Sequence, residues 1–126
     1  MSSHRSRRQP RVNVNLDVTL QNAQGETVFK TKNASYDGVF LLCPKPLPLR
    51  KLIRFRARLS EDEELQMIGL VAHTINASDA AEQKRPAGMG IQLFSVGQET
   101  HQRWRDFISE QYHQNPETRA VVEANA

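Results

Sequence analysis

The sequence predicts an all-β domain: a small six-stranded antiparallel barrel with one C-terminal α-helix covering an open side or end. Three observations carry this. Apolar residues alternate strictly with polar ones in two stretches, Val12–Leu20 and Ile53–Leu59, the period of a strand with one dry and one wet face. Other short apolar runs follow at hairpin spacing, bounded by Gly, Pro, Asn and Asp. After Gly97 the period changes to that of a helix.

The first strand is read from Val12, Val14, Leu16, Val18 and Leu20, with polar residues between them. Asn22–Gly25 is a turn, and TVFKTKNAS is a second strand. Val39–Cys43 is continuously apolar, as a strand buried on both faces is. Pro44, Pro46 and Pro48 then remove backbone donors and hold the chain extended. Ile53, Phe55, Ala57 and Leu59 alternate with Arg54, Arg56 and Arg58. Met67–Ile75 and Met89–Ser95 are the last two strands, with Ser60–Glu64 as a turn and Asn76–Ala87 as a loop. In QETHQRWRDFISEQYHQ, Trp104, Phe107, Ile108 and Tyr112 form one narrow apolar stripe of an amphipathic helix.

A length of 126 residues fits one domain, and 38% apolar with 25% charged residues fits a polar globular chain. No apolar run approaches the roughly 20 residues that span a bilayer. The N-terminal MSSHRSRRQPR lacks the apolar stretch of a secretory signal, so the expected compartment is the cytoplasm. The Asn33 and Asn76 glycosylation sequons then carry no meaning. One cysteine, Cys43, excludes an internal disulfide and reads as a small buried hydrophobe. His4, His73, His101 and His113 lack metal-ligand spacing. No nucleophile–base constellation is present, so the expectation is a binding protein without cofactor or metal and not an enzyme.

The net charge is +3, with the positive charge unevenly placed. Arg5, Arg7, Arg8 and Arg11 crowd the start, and Lys45, Arg50, Lys51, Arg54, Arg56 and Arg58 form a second group. Such asymmetry favours an anionic, phosphate-bearing partner. Taken alone, Arg7–Arg11 is a solvated basic arm stiffened by Pro10, and Asn33–Gly38 is a strand end and turn with Gly38 at positive φ. Together they say more. If Asn22–Gly25 is a hairpin loop, Gln21 pairs with Glu26, and Val14, Val12 and Arg11 fall opposite Asn33, Ser35 and Tyr36. The arginines then emerge beside Asn33 and Ser35 on one rim.

These residues resemble a bacterial PilZ domain, the receptor for cyclic di-GMP. Arg7-Arg8-Gln9-Pro10-Arg11 matches the RxxxR pattern and Asn33-Ala34-Ser35-Tyr36-Asp37-Gly38 the [D/N]xSxxG pattern. Gly38-Val39-Phe40-Leu41, the proline loop and Gly88–Phe94 extend the similarity over Arg5–Tyr112. The resemblance implies that Arg7 and Arg11 hold guanine edges and phosphates, assisted by Arg8. It implies that Asn33 and Ser35 hydrogen-bond a guanine, and that Gly38 permits the turn that admits the ligand. Asn33 stands where an aspartate is the alternative, and the amide keeps the acceptor but loses the charge.

The organisation that follows is a flexible basic arm over residues 1–11, a barrel with its helix over 12–113, and a disordered tail over 114–126. The implied function is a cyclic di-GMP receptor that orders its arginine arm on binding. It would then act on a protein partner in motility, adhesion or exopolysaccharide output. Two other readings are a small nucleic-acid-binding barrel using Arg54, Arg56 and Arg58, and a ligand-free adaptor of the same family. The first is disfavoured because the wet strand faces carry Asn, Asp, Thr and Arg instead of stacking aromatics. The second is disfavoured by the intact arginines and Asn-x-Ser.

Overall fold

The structure is a computed structural model that describes residues 11–114 and 116. Among these residues the chain forms seven strands and two helices. In chain order they are β1 (Arg11–Val12), β2 (Asp17–Asn22), β3 (Gly25–Ser35), β4 (Gly38–Leu42), β5 (Leu52–Ser60), β6 (Glu63–Ile75), α1 (Ala77–Gln83), β7 (Gly88–Leu93) and α2 (Gln98–Gln114). Six strands run β3-β2-β5-β6-β7-β4, and β4 pairs back onto β3, so the barrel is closed and antiparallel throughout. Closure leaves no long free sheet edge. The inward residues Val18, Leu20, Leu41, Phe55, Val71, Met89 and Ile91 fill the barrel. α2 lies across β1, β3 and β6 and buries Trp104, Phe107 and Ile108. Fold class, alternation and C-terminal helix therefore agree with the sequence reading. The segments expected as arm and tail lie outside the described residues, apart from Arg11, Gln114 and Pro116.

The first strand is in two pieces. Val12, Val14, Leu16, Val18 and Leu20 are all buried, as their alternation predicts, but residues 13–16 make no regular ladder. Thr31 fills the gap. Its hydroxyl donates to the Val14 carbonyl and accepts from the Leu16 N–H at 2.8 Å, and its own N–H reaches the Leu16 carbonyl. A threonine 2% exposed thus satisfies backbone groups that the ladder leaves open. The hairpin register Gln21↔Glu26 is observed. Beyond the break the pairing slips by one residue, to Arg11↔Ser35 and Val12↔Ala34, where the simple count put Arg11 opposite Tyr36.

Two bulges reshape the opposite wall. Lys32 is an extra residue in β3, between Thr31↔Leu41 and Asn33↔Phe40. Ala72 is extra in β6, between Val71↔Ile91 and His73↔Gly90. An added residue reverses which side chains face the core. Without the Lys32 bulge, Asn33 and Ser35 would share the inward face of Thr31. With it, Ala34 enters the core and Asn33 and Ser35 turn outward. The Ala72 bulge likewise turns His73 and Ile75 outward.

Residues 76–87, expected as a loop, contain α1. The Asn76 side chain caps it by accepting from the Asp79 N–H at 2.8 Å. Its Ala80 packs with Phe40 and Ile75 in a small apolar cluster on the outside of the barrel. This cluster explains why β4 is buried on both faces.

Candidate functional site

The outward face of β3, β4, β7 and β6 holds an open hollow of about 380 Å³. Arg11, Ser35, Asp37, Phe40, His73 and Gln92 line it. Each is there for a local reason. The β1 register puts Arg11 opposite Ser35, and the two bulges turn Ser35 and His73 outward. Gly90 leaves room for the His73 ring, since a Cβ there would lie 2.3 Å from its Cε1. The ring in turn stacks on Phe40, with centroids 5.8 Å apart.

Arg11 is the cation of this face. Its Nη1 donates to Asn33 Oδ1 at 3.0 Å. Burial lowers its pKa, although a guanidinium stays protonated in any case. Among the described residues no carboxylate pairs with it. A partly desolvated guanidinium held by one neutral amide keeps most of its donors for something else. His73 sits in the same field. Burial, then the charges of Arg85 and Arg11, hold its imidazole below the usual histidine value.

The turn between Ser35 and Gly38 is fixed from beneath by α2. Trp104 Nε1 donates to the Ser35 carbonyl at 2.8 Å in a buried bond. His101 Nε2 lies 3.1 Å from Asp37 Oδ1 and 3.3 Å from the Tyr36 carbonyl. The Arg105 guanidinium lies over the Tyr36 ring at 5.0 Å. From the barrel side, the Leu93 N–H donates to the Asp37 carbonyl at 2.8 Å. The main chain that presents Ser35 is therefore bonded both to the helix and to β7.

The mid-chain arginines are used differently. Arg56 makes two bonds to Glu26, at 3.0 and 3.2 Å, and Arg58 bonds Glu64 at 3.0 Å and the Glu61 carbonyl. Two guanidiniums of this stripe are thus paired within the protein.

Arg11, Asn33, Ser35 and Gly38 come together as the sequence predicts. Arg7 and Arg8 lie outside the described residues. The expectation for Gly38 needs correction. Its φ is not in the left-handed region, where Gly25 alone stands among the described glycines. What requires glycine is the close approach of β7: a Cβ would lie 2.8 Å from the Ile91 carbonyl oxygen. Nothing in the sequence marks His73, His101 or Trp104 as neighbours of the site. Only the stripe position of Trp104 gave a signal, and that signal was for the core.

The fold is thus a small closed barrel with a cationic, glycine-floored hollow on its outer face. A model of the PilZ domain matches residues 5–110, and the chain belongs to the PilZ domain family. No curated protein matches it. Among solved structures it is similar to the Bacillus subtilis inhibitor of motility MotI/DgrA, with TM-score 0.71 and 15% identity over 86% of this chain. The chain spans 52% of that protein's length. It is also similar to the PilZ domain of YcgR from Escherichia coli, solved with c-di-GMP, with TM-score 0.63 and 11% identity over 87% of this chain and 94% of that one. At such identities the likeness speaks for the fold.

Proposed function

We propose that this protein is a cyclic di-GMP receptor module that binds the dinucleotide on the outer face of β3, β4, β7 and β6. One observation carries the reading. Arg11 is partly desolvated, lacks a carboxylate partner among the described residues, and is aimed by Asn33 along a hollow that Ser35 also lines. Family membership and the YcgR domain's ligand support the same assignment. In this reading the Arg11 guanidinium takes a phosphate or the O6/N7 edge of a guanine, both of which it can bond through two parallel N–H groups. Asn33 orients it and offers its own amide to the base, and Ser35 adds a hydroxyl. Arg7 and Arg8 bind the same ligand, so that the arginine segment closes onto the barrel and presents an altered surface to a protein partner.

A nucleic-acid interface along β5 is the weaker reading, because Arg56 and Arg58 are engaged by Glu26 and Glu64. Titration calorimetry with cyclic di-GMP, GTP and a short single-stranded DNA tests the assignment. Saturable heat with cyclic di-GMP alone is the expected result. Tight DNA binding with a steep salt dependence and no dinucleotide heat would overturn it.

A further inference from the structure

A second hollow, of about 290 Å³, adjoins the first. Phe40 walls both, Arg11 faces the first and Asn33 the second. The second is lined by Lys32, Lys84 and Arg85 over an apolar floor of Phe40, Ile75 and Pro86. No carboxylate among the described residues lines it. Among the described residues none of its three cations makes an ion pair, and the side-chain bond of Arg85 is to the neutral Gln83 Oε1 at 3.2 Å. This contrasts with Arg56, Arg58 and Arg103, each of which sits on a glutamate.

The placement of these cations is built into the backbone. Lys32 is the β3 bulge residue, so the irregularity that turns Asn33 outward also delivers a lysine. Lys84 caps α1 at φ 58, in the left-handed region, where glycine is the residue of lowest cost. Both the Lys84 and the Arg85 N–H groups bond the Ala80 carbonyl, which fixes the main chain that carries the two side chains. A charged side chain in a conformation better suited to glycine is a reason to look for a role. His73 feels both hollows: burial first, then the charges of Arg85 and of Arg11, disfavour its imidazole as a cation.

We propose that Lys32, Lys84 and Arg85 form a second oxyanion subsite, which takes a phosphate group of the nucleotide bound at Arg11 and Asn33. The proposal rests on the reading of that face as a phosphodiester site, and it extends the ligand's footprint from β3 and β4 onto the C-terminal end of α1.

The test is a double variant, Lys84→Gly with Arg85→Gln, compared with Arg11→Ala and the unmodified chain. Glycine suits the left-handed cap, so the variant keeps its fold, as circular dichroism and Tm will verify. Affinity for cyclic di-GMP is expected to fall about fivefold or more in the double variant. Amide resonances of Lys32, Lys84, Arg85 and Ala87 should shift with ligand in the unmodified chain, and those of residues 32 and 87 should stay still in the variant. If Arg11→Ala loses binding while the double variant keeps its affinity, the subsite is refuted and the motif face stands. If the unmodified chain binds no cyclic di-GMP, the reading of the motif face falls instead. Titration with inorganic phosphate then decides the subsite alone. Amide shifts at residues 32 and 87 that the double variant abolishes uphold it, and their absence refutes it.

Discussion

Arg11 and Arg56 are both arginines on the outside of one barrel, and their surroundings make them opposites. Arg56 on β5 is bonded twice to Glu26 and lies near Glu64, so its charge is answered before any ligand arrives. Arg11 beside β3 meets an amide and a glycine-floored hollow. The carboxylate or its absence in the neighbouring strand decides which basic group is available, and counting arginines along the chain does not. The mid-chain cluster is the larger of the two in sequence, yet two of its members carry their own counterions.

The sharpest way to break this contrast is to delete one arginine from each region. Arg11→Ala should cut cyclic di-GMP affinity by about tenfold or more, since a charged hydrogen bond is worth about 1.5–3 kcal/mol. Arg56→Ala should leave affinity within about twofold, as expected of an exposed ion pair remote from the ligand. Calorimetry on the two variants reads both. Equal losses would dissolve the distinction.

Next in size is Thr31→Val, which tests whether the broken strand is held as described. Valine keeps the volume but leaves the Leu16 N–H and the Val14 carbonyl without the hydroxyl. Urea unfolding should show a loss of about 1–3 kcal/mol, the cost of burying unsatisfied polar groups. A comparable effect is expected from Trp104→Phe, which removes the indole bond to the Ser35 carbonyl and part of a fully buried ring and should cost about 1–3 kcal/mol. It should also speed hydrogen exchange in the Ser35–Gly38 turn, while exchange around Arg56 stays as it was.

The smallest effect is electrostatic. Burial, Arg85 and Arg11 depress the folded-state pKa of His73. The neutral ring is therefore favoured on folding. That contribution is complete above the unfolded value near 6.5 and is lost as pH falls below it toward the folded value. An anion bound between the two arginines offsets their repulsion and raises the pKa. Binding should then take up protons, and affinity should rise as pH falls through the His73 titration. The imidazole resonances of His73, followed with and without ligand, read the shift. The paired stripe on β5 should show no comparable coupling.

The sequence made much of this legible, for definable reasons. The alternation at Val12–Leu20 and Ile53–Leu59 reports burial, and burial follows it even between β1 and β2, where the chain leaves its ladder with β3. Val39–Cys43 read as buried on both faces, and α1 is what covers its outer side. The seven-residue helix itself was missed although Asn76 and Asp79 carry a capping signal, because a short helix shows too few turns for a period. The bulges at Lys32 and Ala72 left no mark, since an extra residue in a strand looks like any other residue. They nevertheless decide that Asn33, Ser35 and His73 face outward. The motif residues were found because RxxxR and NxSxxG are local strings. The ion pairing of Arg56 and Arg58 is not legible in this way, because Glu26 and Glu64 come from other strands.

The central claim is tested most directly by a crystal structure of the protein with cyclic di-GMP. The account predicts the dinucleotide on the outer face of β3, β4, β7 and β6, with the Arg11 guanidinium bonded to a phosphate or guanine and Asn33 and Ser35 in contact with a base. A ligand seated along β5, or an Arg11 side chain still bonded to Asn33 alone with the hollow unfilled, would contradict it.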